Sequence, residues 1–358
     1  MRRTTRARPR AGALVALAAA VALVVGGCSD TSSTTGGGAA DTAGGGDAAS
    51  ASPSPSPSTF TGAGTGPNPV IADDFPDPDV LEVDGVYYAY GTNGNLRNIR
   101  AARSTDLVEW ETLPDVLPSL PSWVIPGKTW APEVTEVEPG RYALYFTATN
   151  FRPSLQCVGV AVASSPEGPF DVVGDAMLVC PPDEGGAIDA STFRTADGTL
   201  HLLWKNDGNC CGLDTWLQTA PLTPDGTALA GPAVKLLKQD QEWEGDLVEA
   251  PTVVERDGRL VMLYSANSYG GDQYAIGWAS APALEGPWTK APEPLLTTDA
   301  TDRAYIGPGG QDVVVGPDGE DLLVFHSWYD DVSYRGVNVL PLDWEAGEPV
   351  VRLEPDEG

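Results

Sequence analysis

Carboxylates recur along this chain at a similar distance before a turn glycine. Seven to nine residues before five such glycines lie Asp77, Glu133, Asp189, Glu249 and the pair Gln311-Asp312. Any one of them alone is explained by a solvated acid near a turn. Acids that are brought together raise one another's pKa, and proteins keep such clusters mainly where a perturbed acid does chemistry. Hydrolysis of a glycosidic bond uses such a set, since one carboxylic acid protonates the leaving oxygen while a carboxylate activates water or attacks the sugar.

The elements that must position these acids are predicted by a repeat. A turn dipeptide followed by a strand-like run occurs five times, at spacings of 55, 58, 60 and 61 residues. The dipeptides are Asp84-Gly85, Pro139-Gly140, Asp197-Gly198, Asp257-Gly258 and Asp318-Gly319. Asp-Gly between two strand-like runs is typical of a hairpin, because glycine accepts the positive φ of the turn. The period predicts an all-β fold, a five-bladed β-propeller with four antiparallel strands per blade, whereas an irregular β-sandwich would not keep it.

In a propeller the first strand of every blade lines the central axis. The residues just before the five turns are therefore expected to converge on one funnel. Taken together at equivalent positions, the acids favour a functional site over five unrelated surface groups.

Several stretches of the chain resemble glycoside hydrolase family 43. They are Phe75-Pro-Asp-Pro-Asp-Val80, Trp130-Ala-Pro-Glu133, Ala187-Ile-Asp-Ala-Ser191, Val248-Glu-Ala-Pro251, Gly307-Pro-Gly-Gly-Gln311, Val324-Phe-His326 and Tyr334-Arg335. The resemblance covers essentially residues 70–345. It implies a five-bladed propeller that hydrolyses arabinosides and xylosides with inversion at the sugar carbon.

The resemblance also implies a role for each of three acids. Asp77 matches the general base that activates water, Asp189 the acid that tunes and orients the proton donor, and Glu249 the general acid. Inversion requires the carboxyls of the base and the acid to lie ~6.5–9.5 Å apart, so that a water fits between them. Asp79, two residues from Asp77, and Glu244, before a glycine in an expected loop, are the nearest rivals for these roles.

Residues near the ends of the inner strands are candidates for binding sugar. The aromatic candidates are Phe75, Trp130, Trp204 and Trp328, and the polar ones are Glu133, Gln311 and Arg335. Aromatic side chains bury apolar area readily, so core packing is the alternative for each of them. Arg335 matches the final-blade arginine of the family and is expected near a sugar hydroxyl or carboxylate, or paired with one of the many acids.

Two histidines remain. His326 matches the family's axial histidine, which in many members helps to hold a central calcium or other cation through water. Calcium prefers oxygen ligands, so a single histidine is a weak metal signal by its chemistry alone. We expect no cofactor for the chemistry and treat a structural Ca²⁺ near His326 as an open alternative. His201, in the middle of a strand-like run, is expected to be structural.

Four cysteines follow the leader segment, and they allow three connectivities. Cys157 begins a predicted strand and Cys180 ends the next, so the two are expected to face each other in an antiparallel pair. By elimination, Cys210 and Cys211 are expected to form a bridge between neighbouring residues, in a loop that follows the inner strands of blade three. No C-x-x-C pair is present in the sequence, which argues against structural zinc.

The first 67 residues have the pattern of a targeting segment and a tether. Residues 1–27 combine arginines with the apolar run Ala11–Val25 and end in small residues before Cys28, which is typical of a bacterial lipoprotein signal with a lipidated cysteine. An ordinary secretory signal and a twin-arginine signal are the alternatives. Residues 28–67 are rich in Gly, Ala, Ser, Thr and Pro and are expected to be a disordered tether. The propeller is expected over 68–358, outside the cytoplasm and anchored through lipid, or secreted.

The charge of the chain limits its partners. The sequence contains 50 acidic and 21 basic residues, a net charge of -29, so nucleic acid and anionic lipid surfaces would be repelled. The expected partner is a plant or cell-wall glycan, and the protein is expected to be a monomer. A galactofuranosidase on the same scaffold and a non-catalytic glycan-binding lipoprotein are the alternatives, because a fold alone does not determine a function.

Overall fold

The structure is a computed structural model, and it describes residues 68–152, 154–329 and 332–353. In these residues, twenty strands form five four-stranded antiparallel sheets, each built from consecutive strands. This is the five-bladed β-propeller that the repeat predicted. The signal segment, Cys28 and the tether, residues 1–67, lie outside the described residues. Within the described part of the chain, we find no helix with the length and apolar character needed to cross a lipid bilayer.

The strands follow one another blade by blade. Blade 1 has β1 (Asp79–Val83), β2 (Val86–Gly91), β3 (Arg100–Ser104) and β4 (Glu111–Thr112). Blade 2 has β5 (Val124–Glu138), β6 (Arg141–Asn150), β7 (Gln156–Ala163) and β8 (Asp171–Val172). Blade 3 has β9 (Ala187–Arg194), β10 (Leu200–Asn206), β11 (Trp216–Pro221) and β12 (Val234–Lys238). Blade 4 has β13 (Val248–Arg256), β14 (Arg259–Ala266), β15 (Ala275–Ala281) and β16 (Thr289–Lys290). Blade 5 has β17 (Ile306–Val315), β18 (Asp321–Tyr329), β19 (Tyr334–Glu345) and β20 (Glu348–Val351).

The predicted turns join the first two strands of the blades. In blade 1, Val83 pairs with Val86, and both turn residues between them have positive φ, 53° at Asp84 and 80° at Gly85. Gly258 makes the corresponding turn in blade 4 with φ 72°. Glycine adopts this backbone conformation without the steric cost that a Cβ brings, which explains why the dipeptide marks each hairpin.

The hydrophobic core lies between neighbouring blades rather than within one blade. Side chains alternate along a strand, so Tyr145 and Phe146 in β6 face opposite neighbours. Phe146 belongs to a buried cluster shared with blade 1, and Tyr145 to one shared with Trp204 of blade 3. The second strand of a blade is buried on both faces in this way, which accounts for its largely apolar sequence.

The ring closes through the segment that precedes β1. The backbone N–H of Val70 donates to the carbonyl of Val337 at 2.8 Å, and that of Phe75 to the carbonyl of Arg335 at 2.9 Å. These bonds join the start of blade 1 to β19 of blade 5, so blade 1 is held by a strand of the last blade.

Where each blade meets the axis, one residue adopts a left-handed backbone. These five axial-turn residues are Asp77, Ala131, Asp189, Ala250 and Gly310, with φ between 43° and 56°. In blades 2 to 5 the strand register shifts beside this residue, as it does between Glu249 and Thr252 in blade 4. Such a conformation is costly for residues other than glycine, and it persists only where the surroundings hold it. Side chains are therefore separated into two levels along the axis. We call the level of the side chains at or just before the axial turn the upper level, and that of the side chains after it the lower level.

Candidate active site

The upper level opens into a cavity of about 370 Å³, a size within the range of small-molecule binding sites. Asp77, Asp189 and Glu249 all line it. All five blades contribute further lining side chains, which are Thr92, Trp130, Gln156, Lys205, Asp207, Tyr274 and Arg335. The fold thus brings together the three acids that the sequence singled out.

Asp77 is held by two blades. Its backbone N–H donates to Nδ1 of His326 at 3.1 Å, and its Oδ2 accepts a hydrogen bond from the Thr92 hydroxyl at 2.6 Å. The side chain is 26% exposed, so one side of the carboxyl faces the cavity. A carboxylate held in this way can accept a proton from a water in the pocket.

Asp189 is the most perturbed acid of the upper level. Burial and the nearby Glu249 carboxyl raise the pKa of Asp189 well above its ordinary value. Its Oδ2 accepts a hydrogen bond from the backbone N–H of Ala250 at 3.2 Å, and its own N–H donates to the Thr147 hydroxyl at 3.1 Å. Asp189 therefore retains its proton at a pH where a solvated aspartate would be ionised.

Glu249 is buried, and donors contact both of its carboxyl oxygens. The Tyr274 hydroxyl donates to Oε1 at 2.8 Å, and the ammonium of Lys205 donates to Oε2 at 3.1 Å. The Lys205 side chain is only 1% exposed, and its Nζ also lies 3.9 Å from Oδ1 of Asp207. Glu249 thus lies between a buried cation on one side and a second acid, Asp189, on the other.

The expectation that all the acids share one funnel is wrong, because some of them lie on the lower level. Asp79, Glu133 and Asp312 line a smaller axial cavity of only about 40 Å³, which Asp77 and Asp189 also border and which leaves room for water but not for a sugar. The cause is the axial turn, which places residues two positions further along the strand beneath the pocket. Glu133 was predicted to bind substrate and Asp79 to rival Asp77, but the structure places both carboxyls on this lower level.

The lower acids join neighbouring blades. Asp79 Oδ2 accepts the backbone N–H of Val134 at 2.9 Å, and Asp312 Oδ2 accepts that of Val80 at 2.9 Å. Burial raises the pKa of Asp79 well above its ordinary value, that of Glu133 to about 7 and that of Asp312 to about 6. Asp79 also forms a hydrogen bond with Glu133, so the two carboxyls share a proton.

Gln311 also lies on the lower level. Its side-chain oxygen accepts a hydrogen bond from the Ser265 hydroxyl at 2.7 Å, and its Nε2 donates to the carbonyl of Ala250 at 2.6 Å. The amide is only 4% exposed and is used in joining blades 4 and 5, which corrects its expected contact with substrate.

Glu244, the other rival, has a structural role. It is fully buried, accepts the Tyr264 hydroxyl at 2.8 Å and is paired with Lys290 at 2.6 Å. It also closes the capping box of the 3-10 helix Glu242–Glu244. It is not among the residues that line the upper cavity.

The aromatic candidates divide between core and pocket. Phe75 and Trp204 are each 2% exposed and belong to the apolar clusters between blades, so neither can stack on a sugar. Trp328 donates its indole N–H to the carbonyl of Tyr269 at 2.7 Å and does not line the cavity. Trp130 is the one predicted aromatic that lines it.

Arg335 reaches the cavity as expected, and its setting reveals a residue that the sequence reasoning missed. Its guanidinium lies 5.1 Å from the ring centre of Tyr269 and 5.4 Å from that of Trp328. Contacts of this kind attract a cation to the aromatic face. Tyr269 is 54% exposed and lines the cavity, so it is a better candidate for sugar stacking than Phe75 or Trp204.

Lys205, Asp207 and Tyr274 were also missed. Lys205 follows the apolar run Leu202-Leu203-Trp204, and a charged residue directly after a buried strand segment is the signal that could have found it. Tyr274 lies in a loop segment with no distinctive pattern. His201 is half-buried on β10, with no role in the cavity.

His326 is the group to test for a metal. It is fully buried, its Nδ1 accepts the Asp77 N–H, and its Nε2 has no hydrogen-bond partner among the described residues. Because Nδ1 accepts, the neutral ring carries its proton on Nε2, which can donate to a water, so a cation here would be held through that water. The described residues contain no cluster of three or more His, Cys, Asp or Glu side chains arranged to hold a metal, so most other ligands of a cation there would be water. The calcium near His326 stays a prediction.

The structure places the cysteines side by side in the pairs that the sequence suggested. Cys157 in β7 lies beside Cys180, with Cα atoms 4.8 Å apart, and Cys210 and Cys211 are neighbours in the 3-10 helix Gly208–Cys211. The two bridges stay predictions. Cys180 follows an isolated bridge between Val158 and Val179, which corrects the expectation that it ends a strand. The 3-10 helix also carries Asn209, which lines the upper cavity.

Comparison with known proteins points to one family. The sequence model of glycosyl hydrolases family 43 matches residues 66–349. A solved structure described as a thermostable family-43 glycoside hydrolase is 29% identical, covers 84% of this chain and 99% of its own, and superposes with a TM-score of 0.72.

Three relatives extend this comparison. Alpha-L-arabinofuranosidase 43 of Humicola insolens is 29% identical over 75% of this chain, which spans 56% of that protein's length. Beta-D-galactofuranosidase xynD of Aspergillus niger is 27% identical, with 81% of this chain and 87% of that protein covered. Extracellular exo-alpha-(1->5)-L-arabinofuranosidase of Streptomyces chartreusis is 29% identical, with 68% and 76% covered.

Proposed function

This chain belongs to glycosyl hydrolases family 43, and from that premise we propose that it is an inverting glycosidase of arabinose- or xylose-containing glycans. The observation that carries the proposal is the convergence of Asp77, Asp189 and Glu249 on one cavity large enough for a sugar. Burying acids costs free energy of folding, and a glycan-binding protein without activity would not need three of them around one cavity.

Each acid has a proposed role. Asp77 is the general base: the Thr92 hydroxyl and His326 hold it in place, and it takes a proton from the attacking water. Glu249 is the general acid and protonates the leaving glycosidic oxygen as the bond to the sugar carbon breaks. Asp189, whose pKa is raised by burial and by Glu249, is the neighbour that keeps a proton available to this pair.

The substrate class is supported by the relatives. The Humicola and Streptomyces proteins are named arabinofuranosidases, which favours a terminal or internal arabinofuranose. The Aspergillus relative is named a galactofuranosidase, and a five-membered galactose ring is the second candidate. A panel of 4-nitrophenyl furanosides and pyranosides of arabinose, xylose and galactose distinguishes these sugars, followed by product analysis on arabinan and xylan.

The acid role is tested by a pair of isosteric variants. Glu249→Gln should nearly abolish hydrolysis of an alkyl or phenyl arabinofuranoside but retain a larger share of the activity on the 4-nitrophenyl compound, whose leaving group needs less protonation. Asp77→Asn is the matched control and should lose activity on both substrates alike, because water must be activated in either case. Equal losses for Glu249→Gln on both substrates would exclude it as the acid.

The stereochemical outcome is a separate test. Proton NMR of the first product formed should show the anomer opposite to that of the substrate, before mutarotation mixes the two. A first product with the substrate's configuration would show that the reaction proceeds with retention, and Asp77 would then have to act as a nucleophile.

We also propose that the enzyme acts outside the cytoplasm, tethered through a lipid on Cys28. The Streptomyces relative is described as extracellular, and the leader pattern of residues 1–27 supports export. In a bacterial host, the native chain should fractionate with membranes and a Cys28→Ala variant should not be anchored. Equal membrane association of both would rule out the lipid anchor.

A further inference from the structure

One position is equivalent in all five blades, near the end of the second strand, and in four of them it has the same structural task. Thr92, Thr147, Ser265 and His326 each accept a hydrogen bond from the backbone N–H of the axial-turn residue in the next blade. The distances range from 2.9 to 3.1 Å. Three of these residues directly follow a buried aromatic residue of their strand, namely Phe146, Tyr264 and Phe325. The position therefore normally supplies an acceptor that joins one blade to the next.

Blade 3 departs from this rule. The residue that follows its buried aromatic Trp204 is Lys205, and an ammonium has no lone pair with which to accept an N–H. The N–H of Ala250, the axial-turn residue of blade 4, donates instead to Oδ2 of Asp189 at 3.2 Å. Lys205 turns to Glu249 and donates to its Oε2 at 3.1 Å. A lysine that is 1% exposed is costly to desolvate, and at this position it makes no contribution to the link that its four counterparts provide.

We propose that Lys205 is a positioning residue for the proposed general acid, directing its proton to Oε1 and setting the pH at which that proton is lost. The proposal rests on the assignment of Glu249 under the proposed function.

The hydrogen bonds around Glu249 support the choice of oxygen. The ammonium of Lys205 can only donate, so Oε2 remains an acceptor while the contact persists. From the described residues, Oε1 accepts only the Tyr274 hydroxyl, and it has a second lone-pair site. A proton on Oε1 keeps both donors paired, whereas a proton on Oε2 would have to displace the ammonium.

The charges around Glu249 determine the direction of the pH effect. Among the described residues that line the cavity, Lys205 and Arg335 are the cations, Asp77, Asp189 and Asp207 are the other acids, and Tyr274 is a neutral donor. The ammonium favours the ionised form of Glu249, and Asp207, 3.9 Å from the same Nζ, offsets the ammonium. Gln156 holds Asp207 in place by donating to its Oδ2 at 2.6 Å.

Removing the positive charge of Lys205 and removing the negative charge of Asp207 should move the pH profile in opposite directions. We expect Lys205→Met to shift the alkaline limb of kcat/KM upward by about one pH unit, because the charge that favours ionised Glu249 is lost. Asp207→Asn should shift the same limb downward, because the ammonium is then no longer offset. The measurement is kcat/KM against pH with phenyl α-L-arabinofuranoside, or the furanoside that the panel identifies, and Lys205→Arg, which keeps the charge, should restore much of the native limb.

The outcomes separate this inference from the proposed function. The role of Lys205 would be overturned if the alkaline limb moved in the same direction in Lys205→Met and Asp207→Asn, or if it moved in neither folded variant. The leaving-group test of Glu249 would be unaffected by either result. Equal loss of Glu249→Gln activity on both leaving groups would instead overturn the acid assignment itself. If Lys205→Met fails to fold by circular dichroism, Asp207→Asn and Lys205→Arg still decide the matter, since a purely structural role predicts no movement of the limb in Asp207→Asn.

Discussion

The backbone N–H of Asp77 donates a hydrogen bond to Nδ1 of His326 across 249 positions of sequence. The proposed base of blade 1 is thus held by the second strand of blade 5, and its position depends on closure of the ring. Because Nδ1 accepts, the neutral ring carries its proton on Nε2. Burial and the charge of Arg335 lower the pKa of His326 well below its ordinary value, which favours this neutral form.

Replacing His326 should therefore displace Asp77 rather than remove a reacting group. His326→Leu leaves the Asp77 N–H without its acceptor, which should cost about 1–3 kcal/mol of unfolding free energy. We expect kcat to fall by about tenfold or more, since a small displacement of a catalytic group is costly. In His326→Asn the side-chain oxygen lies close to the site of Nδ1 and should retain more of both properties. Thermal unfolding and kcat measure the two effects, and equal losses in both variants would contradict the hydrogen-bond role.

Tyr274 should orient the proposed acid. Tyr274→Phe removes the hydroxyl that donates to Oε1 of Glu249, and a hydrogen bond to a neutral, protonated carboxyl contributes about 0.5–1.5 kcal/mol. We expect kcat to fall by about tenfold with little change in thermal stability.

Gly309 provides an independent way to move the same ring. A Cβ at Gly309 would overlap the ring of Tyr274, so Gly309→Ala should lower kcat at least as much as Tyr274→Phe. Activity close to native in Gly309→Ala, with the fold intact, would show that the position of the Tyr274 ring does not matter for catalysis.

The acids of the lower level should make the protein less stable as the pH rises. The pKa of Glu133 is raised by burial from 4.5 to about 7, so the native state binds this proton more tightly than the unfolded chain does. The stabilisation is fully present below about pH 4.5 and is lost as the pH rises through 7, at most about 3 kcal/mol. Glu133→Gln removes this dependence, and the free energy of unfolding in urea at pH 5 and pH 8 measures it.

The matched control is Glu293→Gln, which changes an exposed glutamate. We expect its difference between pH 5 and pH 8 to equal that of the native protein, while Glu133→Gln shows a smaller difference. Asp79, Asp312 and Asp189 titrate in the same direction, so part of the dependence should remain. An unchanged difference in Glu133→Gln would mean that this carboxyl is not protonated on folding.

The predicted bridge between Cys157 and Cys180 closes a segment with a sequence separation of 23 residues. Its loss in a Cys157→Ser, Cys180→Ser double variant should cost about 2–4 kcal/mol of unfolding free energy. The control is the corresponding Cys210→Ser, Cys211→Ser variant, where the exposed loop closes almost no chain and little change is expected. Peptide mapping without reduction should recover both pairs, and free thiols at Cys157 and Cys180 in the folded protein would contradict the pairing.

Periodic features of the sequence predicted the architecture well. The spacing of Gly85, Gly140, Gly198, Gly258 and Gly319 indicated five hairpins, because a tight turn needs particular residues whatever the rest of the chain does. The acids were harder to place. Asp77 and Glu133 occur at nearly the same distance before a turn, yet one lies in the open cavity and the other beneath it, because the left-handed residue is Asp77 itself in blade 1 but Ala131 in blade 2.

By itself, the sequence determined the five-bladed ring, the family and the three acids on which the proposed function depends, since turn chemistry, strand periodicity and short motifs are local properties. Only the tertiary structure decided which acids face the cavity, that Phe75 and Trp204 are buried, and that Lys205 contacts Glu249. These are relations between blades, each set by where an axial turn directs a side chain and by which partner the next blade presents. No local pattern encodes a distance between residues 44 positions apart, and that distance gives Lys205 its charge partner.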